Sequence, residues 1–200
     1  MKIDLFNLNS LNALKEYSDN SFDAIISDPP YNFKKDVMEE FLEQFYRVSK
    51  GAIILFAPPE NQWPGKTDQF LFWVKPISTK NTIKSYSRFV EMIQVFGSGK
   101  WNCDRHWSQY VNVFTDSIES KLCHPYQKPL SLMTRLILNH TDENDHVLDP
   151  FAGSGTTGVS CFLNNRNFTG FELEEKRYET ALKRLLKIKG QNHNNVNNNN

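Results

Sequence analysis

The most constraining stretch lies late in the chain, where Asp149-Pro150-Phe151-Ala152-Gly153-Ser154-Gly155-Thr156-Thr157-Gly158 follows the apolar pair Val147-Leu148. Gly153, Gly155 and Gly158 match G-x-G-x-x-G, whose glycines allow a tight turn after a strand and a close approach of backbone to a ligand at a helix N-terminus. Glu172 ends the next apolar run, Phe168 to Phe171, and an acidic residue there can accept hydrogen bonds from ribose hydroxyls. Nicotinamide and adenosyl cofactors share that requirement. No lysine follows the glycines, which excludes a nucleoside-triphosphate loop of the G-x-x-x-x-G-K-[ST] type. A nicotinamide Rossmann enzyme places this unit early and builds its sheet after it. Here only a short remainder of chain follows Gly158, so the unit completes a sheet begun upstream.

The upstream pattern supplies that sheet. Phe22 to Ser27 and Ala52 to Ala57 read as buried strands, and between them Val37, Phe41, Phe45 and Val48 repeat at helical spacing until Gly51. Further strands are expected at Phe70 to Val74, Phe89 to Phe96, Tyr110 to Phe114 and His146 to Leu148, with a helix through Leu130, Met133, Leu136 and Ile137. A charged helix bearing Tyr178, Ala181, Leu182 and Leu185 on one face closes the fold. Strands alternating with helices mean an α/β sheet.

Two hundred residues with 39% apolar content build one sizeable core, so residues 1 to 190 are read as a single domain. The run from Gln191 to Asn200 is nearly all asparagine and is expected to be disordered. No stretch has the length of a membrane span, the start lacks a secretory pattern, and the odd number of cysteines argues against a disulfide framework. A cytoplasmic protein without membrane contact is the expectation. Cys103, His106, Cys123 and His124 are zinc-capable residue types, but their spacing fits no common finger and no metal is expected.

The net charge of zero hides an asymmetry. Between Asn61 and Arg135 ten basic residues face five acidic ones, interleaved with Trp63, Trp73, Trp101 and Trp107. That middle reads either as a footprint for nucleic-acid phosphates or as solvated lysines beside core tryptophans.

Asp28-Pro29-Pro30-Tyr31 follows an apolar strand and precedes a polar loop, at the strand end where α/β sheets put their sites. The amino group of adenine or cytosine is a weak nucleophile because its lone pair is delocalised into the ring, so an enzyme must supply acceptors for its hydrogens. Asp28 and the Pro29 carbonyl can do so. Consecutive prolines fix φ and remove donors, leaving a stiff turn. Tyr31 offers a ring on which an extruded base can stack. Alone, the segment is equally a strand-ending turn with a buried tyrosine.

With both segments in this order, the chain resembles the beta class of DNA amino-methyltransferases, the adenine-N6 and cytosine-N4 enzymes. In that class D-P-P-Y precedes target recognition, and the cofactor loop D-x-F-x-G-x-G-T-T comes last. His124-Pro125-Tyr126-Gln127-Lys128-Pro129 resembles the element before that loop, near the methionine end of the cofactor. Phe72 to Pro76 and Arg88-Phe89-Val90-Glu91 resemble the middle strands, and Thr169 to Tyr178 resembles the ribose-binding strand and its helix.

The resemblance implies a Rossmann-like methyltransferase fold, a mostly parallel seven-stranded sheet with circularly permuted motif order. Asp28, Pro29, Pro30 and Tyr31 would be catalytic. Asp149, Phe151, Gly153, Gly155, Glu172, Thr156, Thr157, Lys128 and Asn9 would hold S-adenosylmethionine. Asn9, before Leu14, stands where relatives carry an aspartate in G-D-x-x-x-x-L. The recognition stretch, about residues 100 to 123, is short and reads few bases or calls for a second subunit. The implied partner is double-stranded DNA with an extruded base; a homodimer and a cognate restriction endonuclease complete the expected partners. Asp rather than Ser at position 28 favours adenine N6 over cytosine N4. The rival readings are methylation of RNA or a protein glutamine, a non-catalytic cofactor-binding module, and a nicotinamide oxidoreductase.

Overall fold

The computed structural model describes residues 1–75, 89–97, 99, 101–102, 106–109, 111–117 and 127–197. In chain order the elements are β1 (Ile3–Phe6), α1 (Ser10–Lys15), β2 (Ala24–Ser27), α2 (Lys35–Val48), β3 (Ile53–Ala57), β4 (Gln69–Val74), β5 (Val90–Phe96), a 3-10 turn (Trp107–Gln109), β6 (Val113–Phe114), α3 (Leu130–His140), β7 (His146–Asp149), α4 (Thr156–Leu163), β8 (Asn167–Phe171) and α5 (Glu175–Asn197). All the strands join one sheet in the order β1-β8-β7-β2-β3-β5-β4-β6. Pairing is parallel throughout except where β5 runs antiparallel between β3 and β4.

Side-chain alternation along the central strands feeds two cores. Ile26 and Ile54 pack with α3, α4 and α5 through Leu136, Val159 and Leu185. Ile25, Ile53 and Leu55 face the other way, toward α1 and α2 through Leu14, Phe41 and Phe45. Because both faces are covered, the central strands are apolar without a polar face, as parallel sheets require. Each fully buried side chain of this kind, Phe45 among them, contributes about 1.5–3 kcal/mol.

The chain leaves β2 toward β3 on one side and leaves β7 toward β8 on the other. The gap between β2 and β7 is therefore the topological switch point, where the carboxyl ends of open α/β sheets receive ligands. The catalytic candidate Asp28 directly follows β2, and Asp149 ends β7.

Three sequence expectations need correction. Among the described residues the sheet has eight strands, not seven, because Ile3–Phe6 adds an edge strand parallel to β8. Of the strand expected from Tyr110 to Phe114, Val113–Phe114 pairs in parallel with Phe72 and Trp73, Val111 and Asn112 lie outside the strand, and Tyr110 lies outside the described set. The last helix continues to Asn197, into the asparagine run expected to lack order, as backbone hydrogen bonding propagates from its packed first turns. β1 and α1 had no clear sequence signal: four strand residues that include Asp4, and six helical residues, are too few to show a period.

Candidate active site

A cavity of about 700 Å³ opens at the switch point. Its walls hold Asp28, Pro29, Pro30 and Tyr31 on one side and Asp149, Phe151, Gly153, Thr156, Thr157 and Glu172 on another, with Asn9, Lys128 and Glu91 between. Two segments more than a hundred residues apart thus share one space, large enough for a drug-sized ligand.

The glycine-loop corner is braced by neutral donors. Asp149 is buried and accepts hydrogen bonds from the Ser27 hydroxyl (2.5 Å), the Thr157 hydroxyl (2.6 Å) and the Phe151 N–H (3.1 Å). Burial outweighs these bonds and pushes its carboxyl up to about 6. Glu172 accepts from the Gly153 N–H and the Glu174 N–H, both at 2.9 Å, so it ties the loop to the end of β8. Each of its oxygens keeps a lone pair for a hydroxyl donor.

The glycines do different jobs. Gly153 has φ +52°, and a Cβ there would meet only the Phe151 carbonyl at 3.8 Å, leaving open space beside the backbone. Gly155 has φ +76°, and its missing Cβ would lie 3.1 Å from the Ala181 Cβ, so this position leaves room for the packing of α5. Thr156 hydrogen-bonds Arg184 (2.8 Å), and Phe151 packs on Phe33 and Phe41. Asn9 caps α1 by accepting from the Asn12 N–H at 3.1 Å while lining the cavity.

The other corner is charged. Tyr31 donates to Asp28 Oδ1 at 2.9 Å, and the residue as a whole is 40% exposed. Lys128 Nζ lies 2.6 Å from Asp28 Oδ2 and 2.9 Å from Glu91 Oε2, above the Phe56 ring at 4.9 Å. Lys75 reaches Glu91 Oε1 at 3.1 Å. Burial raises the Asp28 carboxyl above the usual range, offset in part by Lys128 and reinforced by Glu91. For Glu91, burial pushes upward but Lys128 and then Lys75 prevail, and the carboxyl is lowered. Burial would depress Lys128, yet Asp28 and Glu91 together raise it. Tyr31 is raised by burial and the two carboxylates.

Lys128 therefore sits against Asp28 while lining the same cavity as the glycine loop. Glu91 and Lys75 lie in segments read from sequence only as middle strands and were given no site role; the β4–β5 pairing brings them together, and the β3–β5 and β2–β3 pairings set β5 near the end of β2. Trp63 and Trp73 are core, and Lys75 and Lys128 are buried in ion pairs, so these four do not form a phosphate-facing surface. Lys80, Lys84, Arg88, Lys100, Arg105 and Lys121 lie outside the described residues, as do Cys103, Cys123 and His124. His106 Nδ1 is 2.9 Å from the Ser108 hydroxyl. Among the described residues no helix is long and apolar enough to cross a membrane.

The family model described as DNA methylase matches residues 22–183. The chain belongs to this DNA methylase family. Type II methyltransferase M.HpaI of Haemophilus parainfluenzae is 26% identical, the match covering 88% of this chain and 72% of that protein. Over shorter stretches, the chain spans less than half the length of other curated relatives. A crystal structure of an M1.HpyAVI–SAM complex superposes with a TM-score of 0.73 at 29% identity, covering 91% of this chain and 99% of that one. The PvuII DNA methyltransferase, described as cytosine-N4-specific, superposes with a TM-score of 0.75 at 14% identity over 92% of this chain and 90% of its own, a likeness of fold alone.

Proposed function

We propose that the chain transfers the methyl group of S-adenosylmethionine to the exocyclic amino group of a base in DNA, adenine N6 and not cytosine N4. The observation that carries this reading is the shared cavity: an amine-accepting corner at Asp28 and a nucleoside-accepting corner at Gly153 and Glu172 face one space at the switch point. The residues fit the cofactor. Glu172 has lone pairs for ribose hydroxyls, the open side of Gly153 admits close approach, and Phe171 and Leu11 add apolar wall. Asn9, Phe151, Thr156 and Thr157 frame the same end. When bound, the cofactor supplies an electrophilic methyl on a sulfonium.

The protein's part is to present the amine. Asp28 and the Pro29 carbonyl accept its hydrogens, which turns the nitrogen lone pair out of the ring and toward the methyl carbon. The N–C bond forms, the C–S bond breaks with its electron pair remaining on sulfur, and the surplus proton on nitrogen passes to Asp28. A carboxyl raised by burial suits that last role. Tyr31, an exposed residue, offers its ring as a stacking surface worth about 1–3 kcal/mol to an extruded base. The preference for adenine rests on Asp at position 28 and on the family resemblance. Double-stranded DNA is the proposed partner, and the Type II relatives support a companion restriction endonuclease; the short recognition stretch supports a homodimer.

Incubation with labelled cofactor and mixed-sequence DNA, followed by digestion to nucleosides and mass separation, tests the reading. Label is expected on N6-methyladenine. Label on cytosine alone reverses the base assignment; label on RNA or protein only overturns the function.

A further inference from the structure

Four charged side chains alternate in sign through the acceptor corner: Lys75, Glu91, Lys128 and Asp28, joined at 3.1, 2.9 and 2.6 Å. Asp28 is the most open of the four, its side chain 26% exposed against 19% for Glu91 and 8% for each lysine. Both Asp28 oxygens are engaged, one by the Tyr31 hydroxyl and the other by the Lys128 ammonium. Each oxygen already accepts one bond, so the target amine must share Asp28 with the Lys128 ammonium and the Tyr31 hydroxyl.

From this arrangement, and resting on the function proposed above, we infer that Glu91 is a positioning residue for methyl transfer: it shares Lys128 with Asp28, so that Asp28 can exchange the ammonium for the amino group of the base. An ammonium with a single carboxylate partner in a buried corner would hold it firmly, because separation would leave a buried charge unpaired. With Glu91 Oε2 at 2.9 Å, Lys128 keeps a countercharge when it releases Asp28. The same pair keeps Lys128 neutralised while Asp28 carries the proton taken from the methylated nitrogen. Lys75, on the far oxygen of Glu91, tempers the pull of Glu91 on Lys128.

The charged and titratable groups that face Asp28 among the described residues are Lys128 before α3, Glu91 on β5 with Lys75 behind it, Tyr31 in its own loop, and Asp149 at the end of β7. Asp149 is held by the Ser27 and Thr157 hydroxyls, which touch none of the substituted residues. Glu91→Gln preserves shape and removes one negative charge. Lys128 then falls wholly to Asp28, and Asp28 loses a negative neighbour. Single-turnover methylation of mixed-sequence DNA is expected to slow on the order of tenfold, the low end of what an outer partner of a functional group contributes. The acid limb of its pH profile should move to lower pH. Lys75→Met, which leaves Glu91 less neutralised, should move that limb to higher pH.

Rates within twofold of wild type with an unmoved acid limb overturn the inference. So does a slower rate with an unmoved limb, which would make Glu91 a structural brace. If Glu91→Gln loses cofactor binding by calorimetry, Glu91→Asp decides: it retains the charge and must retain the wild-type limb at reduced rate, and a shifted limb overturns the inference. A wild-type protein that labels no DNA base removes the functional reading and this inference with it; wild-type labelling of adenine that both variants match removes the inference alone.

Discussion

Asp28 and Asp149 stand at the carboxyl ends of neighbouring parallel strands, both largely withdrawn from water, yet they are held in opposite ways. Asp149 is gripped by two hydroxyls and a backbone N–H, all neutral and all belonging to the loop it organises or to the adjoining strand. Asp28 is held by the Lys128 ammonium, which reaches in from before α3, and by the phenol of Tyr31 in its own loop, and both donors have other partners. The difference teaches which acid can work. Donors that are part of the scaffold make a lock, whereas donors with somewhere else to go leave an acceptor that a substrate can claim.

Asp28→Ala breaks the exchangeable side of the comparison and should have the largest effect. Methyl transfer is expected to fall about 10²- to 10³-fold, the usual loss when a preorganised group that acts on developing charge is removed. Calorimetry should find cofactor affinity preserved, because the glycine-loop corner does not use Asp28. A variant within tenfold of wild type would show that Asp28 is not the acceptor.

Asp149→Asn tests the lock through stability. The carboxyl ionises near 3.8 in the unfolded chain and at about 6 when folded, so folding takes up a proton between those values. The stability contributed by the protonated group is complete below pH 3.8 and drains away as pH rises through 6. At about 1.4 kcal/mol per unit, denaturant unfolding of the cofactor-free protein should lose on the order of 2–3 kcal/mol across that window. Asp149→Asn should flatten this slope, and an unchanged slope would place the titration elsewhere.

Tyr31→Phe sharpens the contrast with the smallest change. It keeps the ring for stacking and removes only the hydroxyl that donates to Asp28 Oδ1 at 2.9 Å. Loss of one such bond is worth about 0.5–1.5 kcal/mol, so the single-turnover rate should change by less than about tenfold while apparent DNA affinity stays near wild type. A collapse in affinity would mean that the hydroxyl, not the ring, captures the base.

The sequence by itself determined the alternation of strands and helices, the two motif segments and their order, because each rests on local chemistry. Prolines stiffen a turn wherever they stand, the missing Cβ lets Gly153 and Gly155 take the left-handed φ they show, and apolar runs bury themselves. Local chemistry also marked Asp28, Tyr31, Asp149 and Glu172 as candidates. It could not tell that Gly155 leaves room for helix packing, that Lys128 joins Asp28, or that Lys75 and Glu91 complete the corner. Those facts depend on contacts between elements far apart in the chain: the register that sets Glu91 opposite Trp73, two residues from Lys75, and the approach of the segment before α3 to the end of β2. Only the tertiary structure brings opposite charges to within 3 Å of one another, and at that distance in a buried corner their pairing decides which acceptor stays available.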